Sequence, residues 1–291
     1  MLNQATLGAK SASETIFDVR QMPSPLSGGW ETINNIKYQA IRHELDAGCG
    51  AVTFRDGSIL NERNGDRYEK FIAFGRRLGE VQIRGGGSSP IWHVEPKKSD
   101  GSPKSYSESN DVAPFHTDAS YYPNPMKYLV FLAVRPAEIG GENQVFSIPD
   151  RLPEFSNGAA GCAAIEVLKR ETFPFGMPPT FHNKDEQKDL PLECGPVLLD
   201  GGIVRFQIKA LREGFRRRPD LASPEKIEAV EALNDFIQQH LNGRGVRLGR
   251  GQILIVNNWR ALHSRKAFND PNRLLLRLSI ADTFPTNTAH R

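Results

Sequence analysis

Apolar residues recur at helical spacing in two long segments and form short strand-like runs through most of the remaining chain. From Tyr68 to Leu78, Phe71, Phe74 and Leu78 fall three and four residues apart and so line one face of a helix, and Gly79 stands where it would end. From Pro224 to Leu241 the expected buried stripe is Ile227, Val230, Leu233 and Ile237, with Ser223 placed to cap the N-terminus. Ile36 to Ala47 has weaker helix-compatible spacing. Strands are expected at Ala51 to Phe54, Tyr128 to Val134, Gln144 to Ile148, 197–199, 203–208, Gln252 to Val256 and Leu274 to Ala281, with Gly140-Gly141 turning the chain before Gln144. Proline and glycine punctuate 173–195, which reads as looser loops.

Many short strands with helices at the flanks predict a mainly β fold with a double-stranded β-helix core, a jelly roll of cupin-like form. Residues 1–35 are polar and mixed and read as a loosely held lead-in to a single domain over 36–291, with a helical insertion at about 224–241. The stretch from Gly85 to Val112 has almost no apolar periodicity. A loop of that length is usually disordered or functional, and a lid over about 85–112 is expected because it leads directly to His116.

Composition narrows the classes. With 38% hydrophobic and 24% charged residues the chain is an ordinary globular protein, and a net charge of +3 predicts no nucleic-acid partner. The densest basic run, Arg212 to Arg218, reads either as a solvated loop or helix end or as a positive rim that steers an anion. No signal pattern opens the chain and no apolar run reaches membrane-spanning length, so a cytoplasmic protein without a membrane partner is expected. Cys49, Cys162 and Cys194 are scattered, which suits reduced structural thiols. A homo-oligomer is compatible with all of this.

The candidate chemistry lies in His116-Thr117-Asp118 and a distant His263. Side chains two apart on an extended strand share a face, so His116 and Asp118 are expected to reach one metal ion from one strand. Two histidines and one carboxylate on one side of an ion leave its other positions open, the ligand set of non-haem Fe(II) oxygenases. A zinc hydrolase could use a similar set. A ligand-binding protein without activity is a third reading.

Phe115-His116-Thr117-Asp118 with Tyr121, then Gly140-Gly141-Glu142, Asn258-x-Arg260-x-x-His263-x-Arg265 and Arg273-x-x-x-Arg277 together resemble the taurine dioxygenase and clavaminate synthase-like group of Fe(II)/2-oxoglutarate oxygenases. Phe74-Gly75-Arg76-Arg77-Leu78-Gly79 resembles the first helix of that group, and the likeness runs in order from about 38 to 284. It implies Fe(II) held by His116, Asp118 and His263, with 2-oxoglutarate and O2 as cosubstrates and succinate and CO2 as coproducts.

The resemblance also gives the first arginine of the pair, Arg273, to the distal carboxylate of 2-oxoglutarate, where a planar fork can make two parallel charge-assisted bonds. Arg277, four positions on, is then expected to hold an acidic group of a small-molecule substrate, with a structural salt bridge as the alternative. Arg277-Leu278-Ser279 also resembles the Arg-x-Ser anchor of penicillin-type oxygenases, which would exchange the two roles. The group usually carries threonine after Gly-Gly-Glu; this chain has Asn143, whose amide can donate the same hydrogen bond to the cosubstrate. Retention of Asp118 disfavours halogenation.

The implied reaction is oxidation, by default hydroxylation, of an unactivated C–H bond in a small anionic or zwitterionic, amino-acid-derived substrate. Desaturation and cyclisation use the same residues. His93 and His182 have no assigned role, and core packing is the expected work of Trp92 and Tyr121.

Overall fold

The computed structural model describes residues 20–21, 35–56, 58–61, 64–83, 88–97, 105–181, 192–241 and 245–285. His182, almost all of the expected lead-in, and 85–87 and 98–104 of the expected lid lie outside these residues. The first half contains β1 (Arg20–Gln21), α1 (Asn35–Asp46), β2 (Ala51–Arg55), α2 (Asn64–Arg76), β3 (Glu80–Gln82), β4 (Trp92–Val94), β5 (Ala113–His116), β6 (Tyr128–Arg135) and β7 (Asn143–Ser147). Then come α3 (Ile148–Phe155), α4 (Ala159–Arg170), β8 (Phe173–Phe175), β9 (Glu193–Gly195), β10 (Leu198–Leu199), β11 (Ile203–Val204) and α5 (Ile208–Arg217). The chain finishes with α6 (Pro224–Gln238), β12 (Gln252–Asn257), β13 (Ala261–Arg265) and β14 (Leu274–Ala281).

The larger sheet runs β1-β2-β12-β6-β14-β3, and β4 also pairs with β14. Its pairings are antiparallel except that of β1 with β2. Facing it is the smaller antiparallel sheet β5-β13-β7. Two mostly antiparallel sheets flanked by helices are the jelly roll expected from the strand pattern.

Strand alternation sorts the side chains into layers. On β6, Tyr128, Val130, Leu132 and Val134 pack with Leu45 of α1 and with Phe71, Phe74 and Leu78 from α2 and its end. The intervening Leu129, Phe131 and Ala133 point to the space between the sheets. Phe71 and Phe74 are fully buried, and each contributes about 1.5–3 kcal/mol. Gly75 lets α2 approach β14, since a Cβ there would lie 2.7 Å from Leu278 Cδ1. The outer face of the smaller sheet presents Phe115, Phe146 and Leu262 to a second core with α4, α5 and α6.

The structure departs from the pattern-based expectations in the middle of the chain. Three helices, α3 to α5, occupy stretches where the pattern gave none, and Phe173–Phe175 pairs with Glu193–Gly195 inside the expected loop region. The expected strand over 203–208 stops at Val204, and α5 starts at Ile208. In α6 the Ser223 hydroxyl accepts from Lys226 N–H, and Ala229, Val230, Leu233 and Ile237 are buried, but Ile227 in the first turn is 41% exposed. The basic run is no free positive rim: Arg212 pairs with Glu231, Arg216 with Glu213 and Arg218 with Asp220. Among the described residues no helix is long and apolar enough to cross a membrane.

Candidate active site

Register across the smaller sheet creates the site. β13 runs antiparallel to β5 so that His263 stands directly opposite His116, and their rings lie 4.4 Å apart between centroids. His116 Nδ1 lies 2.7 Å from the Pro114 carbonyl, a bond that makes Nδ1 the protonated nitrogen and turns the lone pair of Nε2 outward. Burial, and then the nearby His116, lower the pKa of His263, which favours the neutral imidazole a metal requires.

Asp118 reaches the site by a different route from the expected shared strand face. β5 ends at His116, and the next residues turn. Thr117 is clamped to Phe206, its N–H donating to the Phe206 carbonyl at 2.7 Å and its hydroxyl accepting from Phe206 N–H at 3.0 Å. Asn258 then grips Asp118: its Oδ1 accepts the Asp118 N–H at 2.7 Å, and its Nδ2 donates to the carbonyls of Asp118 and Met126. Ala119 follows with φ 59°, a left-handed conformation that an L-residue adopts only under local constraint. Arg205 supplies part of that constraint by donating to the Ser120 and Tyr122 carbonyls.

The result is a compact donor set. Asp118 Oδ1 lies 3.1 Å from His116 Nε2 and 3.6 Å from His263 Nε2, and one ligand atom from each residue fits within 4.8 Å of the others. Burial pushes the Asp118 carboxyl up, but Arg277 and the two histidines outweigh it and hold the group well below the usual carboxylate range. Two imidazole nitrogens and an ionised carboxylate suit Fe(II). The second oxygen, Oδ2, accepts from Arg277 Nη1 at 2.7 Å. Arg277 therefore has an ion-pair partner within the protein, the structural alternative to its substrate-binding role.

Arg273 is in the opposite condition. It is 2% exposed, and its closest polar contact is a 3.5 Å bond from Nη2 to the Gly141 carbonyl. Nη1 is buried with no hydrogen-bond partner among the described residues. Burial, reinforced by the neighbouring Arg265 charge, lowers its pKa to about 9. Phe268 lies against both guanidinium groups, and Gly141, at φ +70°, leaves room that a Cβ would reduce to 3.1 Å from Arg273 Nε. Asn143 is buried beside this pocket, its Nδ2 also without a partner.

These residues line one cavity of about 820 Å³ that includes His116, Asp118, His263, Asn143, Arg273 and Arg277. Trp92, Tyr121, Tyr122, Tyr106 and Gln207 complete parts of its wall, so Trp92 and Tyr121 face the site as well as packing. His93 is held by Tyr68 and Glu95 and does not line the cavity. Arg205 and Gln207 went unnoticed in the sequence, although an arginine within the apolar Ile203-Val204-Arg205-Phe206 was a signal of a buried polar role.

The sequence matches the taurine catabolism dioxygenase TauD, TfdA family over residues 30–279. The chain belongs to that family. It is accordingly a 2-oxoglutarate-dependent non-haem iron dioxygenase. Among solved structures, an asparagine oxygenase in complex with Fe(II), 2S,3S-3-hydroxyasparagine and succinate is similar, with a TM-score of 0.68 and 17% identity over 85% of this chain and 80% of that one. The non-haem iron oxygenase OrfP in complex with Fe and α-ketoglutaric acid is similar at TM-score 0.60 and 18% identity, covering 85% and 80% of the two chains. PvcB of Pseudomonas aeruginosa follows at TM-score 0.56 and 17% identity, covering 83% and 79%. These likenesses establish a shared fold. No curated protein matches the chain.

Proposed function

We propose that this dioxygenase hydroxylates a small anionic or zwitterionic, amino-acid-derived substrate, with His116, Asp118 and His263 holding Fe(II) and Arg273 holding 2-oxoglutarate. The carrying observation is Arg273: a buried cation in the cavity wall with no acid partner among the described residues. Burying an uncompensated charge is costly, so such a residue fits a site completed by an anionic ligand. The bound iron, with 2-oxoglutarate and O2, would supply the oxidising power and leave succinate and CO2 as coproducts.

The protein's own part is placement. The planar fork of Arg273 suits the distal carboxylate of the cosubstrate, and the unpaired amide of Asn143 can donate a hydrogen bond nearby. Arg277 would keep Asp118 ionised and oriented while offering a further donor, the buried Nε, to an acidic group of the substrate. Because the Arg277 charge is met by Asp118 and that of Arg273 is not, the pairing favours Arg273 over Arg277 as the cosubstrate anchor. The amino-acid class is supported by the hydroxylated asparagine in the similar asparagine oxygenase and by (3S)-hydroxy-L-Arg in an OrfP complex. We read residues 36–291 as one catalytic domain and the later part of 85–112 as a lid; Ser105 to Glu108 line the cavity.

Anaerobic calorimetric titration with Fe(II) tests the metal site: His116→Ala and His263→Ala should each abolish binding while the fold persists. Unchanged affinity in both variants would sink the assignment. Amino acids, sulfonates and small carboxylates should then be screened for stimulated succinate release, and a response confined to neutral, apolar compounds would reject the anionic class.

A further inference from the structure

We propose that Gln207 is a specificity-determining residue that accepts a hydrogen bond from an ammonium group of the substrate; the idea rests on the reading of the cavity as a dioxygenase substrate site. Its position follows from the backbone. Phe206 is locked to Thr117, the residue between the two ligands of the His-x-Asp motif, by hydrogen bonds in both directions. Gln207 comes next, in extended conformation at φ −151° and ψ 111°. Extended neighbours point to opposite sides, so Phe206 enters the helical core while Gln207 lines the cavity that contains His116 and Asp118.

Gln207 is 4% exposed, and its Oε1 has no hydrogen-bond partner among the described residues. A buried amide oxygen left unpaired is unfavourable in the folded protein unless a ligand supplies the donor. The helix that starts here depends only on its main chain: the Gln207 carbonyl accepts the N–H groups of Ala210 and Leu211. The cavity wall also carries the acceptors Glu80, Gln82 and Glu108, while Arg277 Nε and Trp92 Nε1 are buried donors without a partner among the described residues. A buried, unpaired acceptor in the same cavity as the buried, unpaired donor of Arg277 matches a zwitterion, with its carboxylate at Arg277 and its ammonium at Gln207.

The test uses the full-length enzyme and Gln207→Leu and Gln207→Glu variants, each given twenty L-amino acids and the corresponding 2-hydroxy acids, with succinate release as readout. Wild type should favour the best amino acid over its hydroxy acid. Gln207→Leu, similar in volume and without an acceptor, should lose roughly 10- to 100-fold in kcat/KM for the amino acid and much less for the hydroxy acid. Gln207→Glu keeps an acceptor and should retain the preference. Equal amino-acid kcat/KM in wild type and Gln207→Leu would overturn the proposal. So would succinate release driven only by amine-free acids, an outcome that leaves the Arg277 reading standing. Failure of every compound in the panel overturns the ammonium site, while anaerobic Fe(II) and 2-oxoglutarate titration of the same protein reports separately on the metal and cosubstrate assignment.

Discussion

Replacing Arg273 with Met should make the ligand-free protein more stable and its cosubstrate site inert. Folding lowers this guanidinium from the ordinary arginine range to about 9, a penalty on the charged form of several kcal/mol at about 1.36 kcal/mol per pH unit. A base whose pKa falls on folding is penalised while it is charged. That penalty is therefore fully present below about pH 9 and fades as pH rises from there toward the ordinary arginine range, so neutral pH lies well inside the window. Relaxation and water penetration reduce such figures, and exchanging buried ionic groups for apolar ones of similar volume gains about 1–4 kcal/mol in practice. For 291 residues, an unfolding entropy of about 2.1 cal/mol/K per residue makes 1 kcal/mol worth roughly 1.6 °C in Tm. Arg273→Met should thus melt roughly 2–6 °C higher without ligands.

Addition of 2-oxoglutarate should reverse the order of effects. At 100 times its Kd a ligand stabilises by about 2.7 kcal/mol, so the Fe(II)-loaded wild type should gain roughly 4 °C while the variant gains nothing. Anaerobic thermal melts with and without the cosubstrate measure both quantities. A variant that keeps the full 2-oxoglutarate shift would refute the assignment. If Arg277→Met loses that shift and Arg273→Met keeps it, Arg277 is the anchor.

Asn258→Ala removes three hydrogen bonds that fix Asp118 and Met126, at a cost of about 3 kcal/mol, and Fe(II) affinity in calorimetry should fall at least about tenfold; a lower Tm with unchanged affinity would show that Asn258 does not position the ligand. Ser223→Ala removes the α6 cap, whose bond is long at 3.4 Å, and should cost about 0.5–1 kcal/mol in thermal melts with no change in metal or cosubstrate titrations.

Short-range order in the sequence was enough for several elements. Phe71, Phe74 and Leu78 could be placed on one helical face because a period of 3.6 is a property of the local chain, and the apolar runs of β6, β12 and β14 marked central strands for the same reason. The three candidate metal ligands were legible from residue type and motif order. The helices α3 to α5 were not: they are segments of 8, 12 and 10 residues, Pro149 and Pro153 interrupt α3 and Gly161 interrupts α4, and packing against Phe146 and Leu262 stabilises them.

The tertiary structure decided how those ligands meet. Pairing of β5 with β13 sets His263 across from His116, and that register depends on contacts far apart in sequence. Asp118 reaches the same point from a turn held by Phe206 and Asn258, so the residue named from the motif spacing arrives there through a backbone geometry other than the expected strand. The contrast between Arg273 and Arg277 is likewise invisible in Arg-x-x-x-Arg. One guanidinium finds a carboxylate and the other does not because burial and neighbouring charge are properties of the folded cavity.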